Sequence, residues 1–157
     1  EVFEVSPFLF GLLGSAQGIG AVLAVPLVTG YVSFMKPSVQ QLIATVGYGF
    51  AVMIFALAPS YTVAFCSLGI LGIMHLISAS NLNSVVQLQV DEEMRGRVMA
   101  IYLVGVLGPA PFAGLAMGWL VSSFGPRLVV ALSGSILALS AVVLWLRGKF
   151  SDLNATN

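Results

Sequence analysis

The stretch that decides the fold is VDEEMRGRV, residues 90–98. It carries five of the chain's twelve charged residues, and it separates two tracts without any Asp, Glu, Lys or Arg side chain, residues 37–90 and 98–126. A charge buried in a protein core needs a partner, whereas a charge at a membrane face lies in water and lipid head groups. The sequence therefore predicts an aqueous turn between two helices that cross a membrane.

The composition favours lipid as the surrounding solvent. The 157 residues are 59% hydrophobic and 8% charged, with a mean hydropathy of +1.04, whereas soluble domains have about 25% charged residues. The net charge of +0 argues against a nucleic-acid partner, which requires a basic surface. Because the chain starts at Glu1, without an initiator Met, we expect it to be a piece of a longer protein.

The sequence contains no motif for enzymatic chemistry. One cysteine, Cys66, and one histidine, His75, cannot form a metal centre, and no nucleophile motif or pair of intramembrane carboxylates is present. We expect neither a cofactor nor catalysis.

The apolar tracts predict an all-α integral membrane bundle with five crossings. A helical crossing needs about 20 mostly apolar residues, and the strongest breaks are at 58–61 and 123–126 because each contains a proline. The predicted bundle, residues 1–150, has helices near 8–34, 41–57, 62–88, 98–121 and 128–146, and residues 151–157 form a cytoplasmic tail.

The positive charges test this topology, because Lys and Arg are retained on the cytoplasmic side. With five crossings, one side receives five of them and the other receives Arg127 alone. The five on the first side are Lys36, Arg95, Arg97, Arg147 and Lys149. The C-terminus is therefore predicted to be cytoplasmic.

Small residues and prolines predict how the helices pack. The pairs Gly14/Gly18 and Gly114/Gly118 have the spacing that lets helix backbones approach closely, so we expect them to pack within the bundle. The fourth helix also holds Pro109 in its middle and Pro111 two residues later, and proline removes helical hydrogen bonds. A kink is predicted there, either mobile or static.

Polar side chains in the third predicted helix mark a possible substrate or proton path. At 3.6 residues per turn, one stripe contains Ser80, Asn83 or Ser84, and Gln87. His75 lies near the middle of the crossing, where ionisable residues commonly face a wet cavity. Gln17 on the first helix is a further candidate. The alternative is that these side chains hydrogen-bond neighbouring helices.

The charged turn suggests a cytoplasmic gate. Glu93 and Arg97 are four residues apart in the order that favours an ion pair. Asp91 is placed to cap the fourth helix, and Arg95 anchors the membrane face. Capping and anchoring explain much of the pattern. The number of charges of both signs suggests in addition that they pair with other cytoplasmic loops, such as the one containing Lys36.

A set of residues along the chain matches a known pattern: Asn83-Ser84 with Gln87, the run Glu93-Met94-Arg95-Gly96-Arg97-Val98-Met99, Tyr102, Gly108, Pro111, Gly114 and Phe124-Gly125. With these residues the chain resembles the C-terminal half of a major facilitator superfamily transporter, in the branch of enterobactin-exporter-like and macrolide-efflux-like permeases. In that branch the tenth helix ends in N-[ST]-x-x-Q, and the turn before the eleventh reads P-[DE]-E-x-R-G-R-V. Two positions depart from the pattern: Asp91 stands where proline is usual, and the loop of residues 33–38 has one charge instead of a basic run.

The resemblance implies that the five helices are the eighth to twelfth of twelve. It implies secondary export by alternating access, coupled to protons, with a missing N-terminal bundle of the same transporter as partner. The substrate would be a small molecule (a siderophore, drug or metabolite), and the location a bacterial inner membrane. The alternative is a membrane sensor or assembly subunit that keeps the bundle and transports nothing.

Overall fold

The structure is a computed structural model, and it describes residues 7–154 of the chain. Residues 1–6 of the predicted bundle and 155–157 of the predicted tail lie outside the described residues. The helices are α1 (Pro7–Thr29), α2 (Pro37–Ala56), α3 (Tyr61–Leu88), α4 (Arg95–Leu107), α5 (Ala110–Phe124) and α6 (Pro126–Leu146), with 3-10 turns at Val32–Phe34 and Ser151–Asn154.

Five helical stretches are long and apolar enough to cross a membrane, with α4 and α5 together forming the fourth. Large apolar side chains point outward along them; Phe8, Val22 and Leu139 are among the exposed ones. In water such a surface would be unstable, whereas lipid accepts it. The predicted class, an all-α integral membrane protein, is confirmed.

The loop between α1 and α2 differs from the predicted boundaries. The first helix ends at Thr29, five residues before the predicted end, and Val32–Phe34 forms a 3-10 turn. The second helix begins at Pro37, four residues before the predicted start, because proline fits the first helical position, where no amide hydrogen is needed. Lys36, directly before it, is extended (φ −59°, ψ 137°), as residues before proline usually are.

The fourth crossing is interrupted at Gly108 and Pro109. Both residues keep right-handed helical dihedral angles (φ −59° and −69°). Proline has no amide hydrogen, so Pro109 and Pro111 each remove one helical hydrogen bond. Regular hydrogen bonding resumes where the Ala113 amide donates to the Pro109 carbonyl (2.9 Å).

Four helices pack in the order α1, α3, α2, α6. α3 contacts both α1 and α2, and α2 contacts α6 on its other side. The fourth crossing contacts this row where α4 follows α3 and α5 precedes α6, and no described residue of α4 or α5 is buried. Its length is therefore available to lipid or to further helices.

Close approach of the helix backbones occurs at glycines other than the predicted ones. A Cβ atom on Gly72 of α3 would meet the Gln17 carbonyl oxygen of α1, and one on Gly49 of α2 would be 2.6 Å from the Gly134 carbonyl oxygen of α6. In contrast, the predicted glycines have no atom within 4 Å of such a Cβ: Gly14, Gly18, Gly114 and Gly118. Between the described helices the predicted pairs make no close contact, because glycine spacing does not specify which face of a helix meets a neighbour.

We expect Gly72→Ala to destabilise the bundle by about 1–3 kcal/mol, because the added methyl group overpacks a contact with backbone atoms that cannot move aside. The thermal unfolding midpoint of the purified protein in detergent measures the effect. Gly14→Ala is the matched control: it adds the same methyl group in open space, and alanine favours a helix over glycine by about 1 kcal/mol. Equal midpoints for the two variants would contradict the assignment.

Candidate functional site

A network of polar side chains joins α2 to α3 at the end of the bundle that carries Lys36. The Gln41 side-chain amide donates to the Ser78 hydroxyl (2.8 Å) and to the Thr45 hydroxyl (3.1 Å). The Asn81 amide donates to the Gln41 side-chain oxygen (3.1 Å) and to the Pro37 carbonyl (3.0 Å). Gln41 and Asn81 are buried, and their hydrogen bonds remove the cost of placing amides within apolar helices.

The loop before α2 is held by a second amide. The Gln40 side chain donates to the carbonyl groups of Val32 and Met35, which fixes the 3-10 turn against the start of α2. On the other side, the Ser38 amide donates to the side-chain oxygen of Asn154 (3.1 Å). The tail after α6 therefore caps the first turn of α2, where amides lack helical partners.

These elements enclose a cleft of about 730 Å³ at the same end of the bundle. Its walls are the end of α1, the loop before α2, one side of α3 and the tail. The lining residues are Val28, Ser33, Phe34, Met35, Lys36, Pro37, Gln40, Ile77, Ser80, Asn81, Ser84, Val85, Leu88 and Asn154. The volume lies within the range typical of small-molecule sites, about 300–1,000 Å³.

The structure brings together some of the predicted path residues and separates others. Ser80 lines the cleft together with Lys36. Asn83 is half-buried and Gln87 is exposed, both outside the cleft lining. Gln17 is exposed on α1, and its carbonyl group packs against Gly72.

His75 lies away from the cleft. It is five residues before Ser80, which places it about 140° away around α3. Its side chain is exposed, and its ring packs against Tyr48 of α2 with the ring centroids 6.1 Å apart and the planes tilted by 47°. Its role in a proton path stays a prediction.

Residues 91–97 of the charged turn are exposed, including Asp91, Glu93, Arg95 and Arg97. Among residues 7–154 no ion pair joins Glu93 to Arg97, and the gate role of this turn stays a prediction.

The capping role of Asp91 is wrong. α4 begins at Arg95 with Met94 as its N-cap, and no side chain caps it. The turn closes instead through backbone bonds, in which the Met94 amide donates to the Asp91 carbonyl (3.0 Å).

Sequence reasoning missed Gln41, Asn81 and Asn154 as organising residues. An amide side chain inside an apolar tract is a usable signal for the first two, because such a group needs a partner in the membrane. No local signal marks Asn154, whose partner Ser38 is 116 residues away.

The fold and the polar end define a multi-pass membrane protein with an intrabundle cleft. The family profile of the Major Facilitator Superfamily matches residues 1–154, and the chain belongs to this superfamily. Its members are transporters rather than enzymes, and the predicted resemblance is confirmed.

Several curated proteins are similar to the chain over most of its length. It is 30% identical to "Enterobactin exporter EntS" of Salmonella choleraesuis (strain SC-B67), 29% to the protein of that name from Salmonella typhi, and 28% to the one from Citrobacter koseri. Each alignment covers 92% of this chain and 35% of the relative, so the chain spans about a third of the length of these relatives. No solved structure gives a significant match.

We expect Asn81→Ala to cost about 1 kcal/mol of stability, because it leaves the Gln41 side-chain oxygen and the Pro37 carbonyl without this donor. Denaturant unfolding of the purified protein in detergent measures the loss. Asn83→Ala is the control on the same helix, since the Asn83 side chain is half-buried and forms no hydrogen bond among the described residues. A similar loss in both variants would contradict a specific role for the network.

Proposed function

We propose that the chain is part of a secondary active transporter that exports small molecules by alternating access. The observation that supports this proposal is the cleft, which is lined by both Ser80, a predicted path residue, and Lys36, at the end of the bundle where the polar groups gather. A pathway must admit solute from one side at a time, and a cleft at one end of the bundle suits an inner entrance. The exporter-named relatives support the outward direction.

The proposed partner is an N-terminal bundle of the same transporter, which would complete the translocation pathway. Two surfaces support this. The glycines of α1 at positions 11, 14 and 18 have open space where a side chain would be, and α4 and α5 have no buried residue among those described. Small residues that face open space in a membrane helix suit close packing against another helix.

The proposed substrate is a siderophore, a drug or another small metabolite. The siderophore possibility comes from the names of the relatives, and the cleft volume of about 730 Å³ is compatible with any of the three. We propose that transport is proton-coupled, with His75 as the candidate proton carrier because it is the only histidine in the chain.

We propose that the chain lies in a bacterial inner membrane with its C-terminus in the cytoplasm. The tail contact between Asn154 and Ser38 supports a common side for the end of α6 and the Lys36 loop. Leu88 lines the same cleft as Lys36, so the charged turn that follows α3 starts at this end as well. Retention of positive charge on the inner side then favours a cytoplasmic location.

This orientation predicts opposite labelling of two exposed positions. In a Cys66→Ala background, we expect Glu92→Cys to react with a membrane-impermeant maleimide only after the inner face is opened, and Ser123→Cys to react in intact spheroplasts. The physical reason is that the two positions flank the fourth crossing. Labelling of both from one side would contradict the topology, whatever the transported solute.

Removing the charge of Arg97 should impair export without preventing membrane insertion. We expect Arg97→Gln to lower efflux of labelled siderophores or drugs by about tenfold or more. A tenfold loss corresponds to about 1.4 kcal/mol of interaction free energy lost at the gate. The assay compares cells that produce the complete protein at equal membrane levels. His75→Gln in the same assay, at several pH values, tests the proposed proton coupling.

The matched control for this experiment is Arg127→Gln, which removes an exposed charge from the opposite end of the bundle. Normal export by Arg97→Gln would remove the gating role. A parent protein that exports none of the compounds would favour the sensor or assembly role over transport.

A further inference from the structure

Some side-chain donors on the residues that line the cleft have no partner in the described part of the chain. Three of them are the Lys36 ammonium group and the hydroxyl groups of Ser80 and Ser84. Of the amide side chains in the walls, Gln40 donates to the loop carbonyls and Asn81 donates to the start of α2 and to Gln41, whereas Asn154 accepts from the Ser38 amide through its oxygen and leaves its nitrogen free. The walls are therefore fixed, and these three groups remain available to a ligand.

The three donors lie at one level of the bundle. The Asn81 amide donates to the Pro37 carbonyl (3.0 Å). Pro37, which directly follows Lys36, therefore lies at the same height in the bundle as the segment of α3 that contains Ser80 and Ser84. Ser80 and Ser84 are four residues apart, so they lie on the same side of α3, about 6 Å from each other along its axis. Lys36, Ser80 and Ser84 therefore border the same part of the cleft.

The charge at this level favours an anion. Among the described residues that line the cleft, Lys36 is the one with a charged side chain. It directly precedes α2, whose first turn carries the positive end of the helix dipole. None of the described lining residues carries a carboxylate.

Apolar side chains extend the cleft on either side of the donors. Ile77, about one turn from Ser80 toward the membrane interior, lines the deeper part; Val28, near the end of α1, lines the wall beside the donors, and Leu88 lines the outer part. Lys36 stands directly before a candidate membrane span, which places the donors near the depth of lipid head groups.

We propose that this cleft is a binding site for an anionic amphiphile, with the anionic group held by Lys36, Ser80 and Ser84 and the apolar body directed toward Ile77 and Val28. This chemistry is shared by anionic phospholipids of the surrounding leaflet, which basic pockets between membrane helices recognise, and by soluble amphipathic anions that enter from the aqueous side. This binding proposal is separate from the proposed export, because an anion can bind in the cleft whether or not the protein transports it.

The test measures binding to the complete, purified protein in detergent. The lipid probes are dioctanoylphosphatidylglycerol and dioctanoylphosphatidylcholine, which have the same chains and differ in net charge; the soluble probe is 5-carboxyfluorescein. We expect the anionic lipid to bind about tenfold more tightly than the zwitterionic one. Lys36→Gln should remove that preference, since one charge-assisted contact accounts for about tenfold, and Lys36→Arg should retain it.

Ser80→Ala combined with Ser84→Ala should weaken binding of the anionic probe several-fold, and Arg127→Gln, at the opposite end, should leave it unchanged. Phosphatidylglycerol binding that carboxyfluorescein does not displace identifies a lipid site, and Lys36-dependent binding of carboxyfluorescein identifies a soluble ligand. Equal affinities of parent and Lys36→Gln protein for both anionic probes would overturn the proposal. The binding assay uses no ion gradient across a membrane. Its outcome therefore does not depend on whether the protein exports a substrate.

Discussion

Lipid cannot hydrogen-bond a peptide group, and this constraint governs the whole structure. It requires long helices, and it leaves their association to close packing and to polar side chains that find partners inside the protein. Close packing of helices occurs at Gly72 and at the Gly49–Gly134 contact. Polar side chains find partners inside the protein through Gln41 and Asn81, and no buried side-chain nitrogen or oxygen atom among the described residues lacks a partner.

The helices are held together by different contacts at the two ends of the bundle. At one end, Leu13, Ala58 and Ala64 form an apolar cluster, and the Tyr61 hydroxyl donates to the Leu9 carbonyl (2.9 Å). At the other end, amides bridge the helices, and a cleft opens that has Lys36 among its lining residues. This asymmetry supports the proposed export, because a transporter must treat solutes differently on its two sides. Helices α4 and α5 have no buried residue among those described, so lipid or the proposed N-terminal bundle must cover them.

Most of the fold could be predicted from local features of the chain. The uncharged tracts specify the crossings because a helix that spans lipid needs about 20 apolar residues. The prolines at 58–61 and 123–126 specify where two of the crossings end. The site was less predictable. The sequence indicates Ser80 and Lys36 as candidates, but both line one cleft only because the loop before α2 is fixed by hydrogen bonds of Gln40 and Asn154.

The sequence by itself determined the solvent, the number of crossings and the family, because each depends on composition or on motifs within one segment. Tertiary structure alone decided which helix faces meet. It selected Gly72 rather than Gly14 for close packing, and it joined Ser38 to Asn154 across 116 residues. The physical reason is that helical periodicity arranges side chains around an axis, whereas the rotation of that axis toward a neighbour depends on all the contacts formed together.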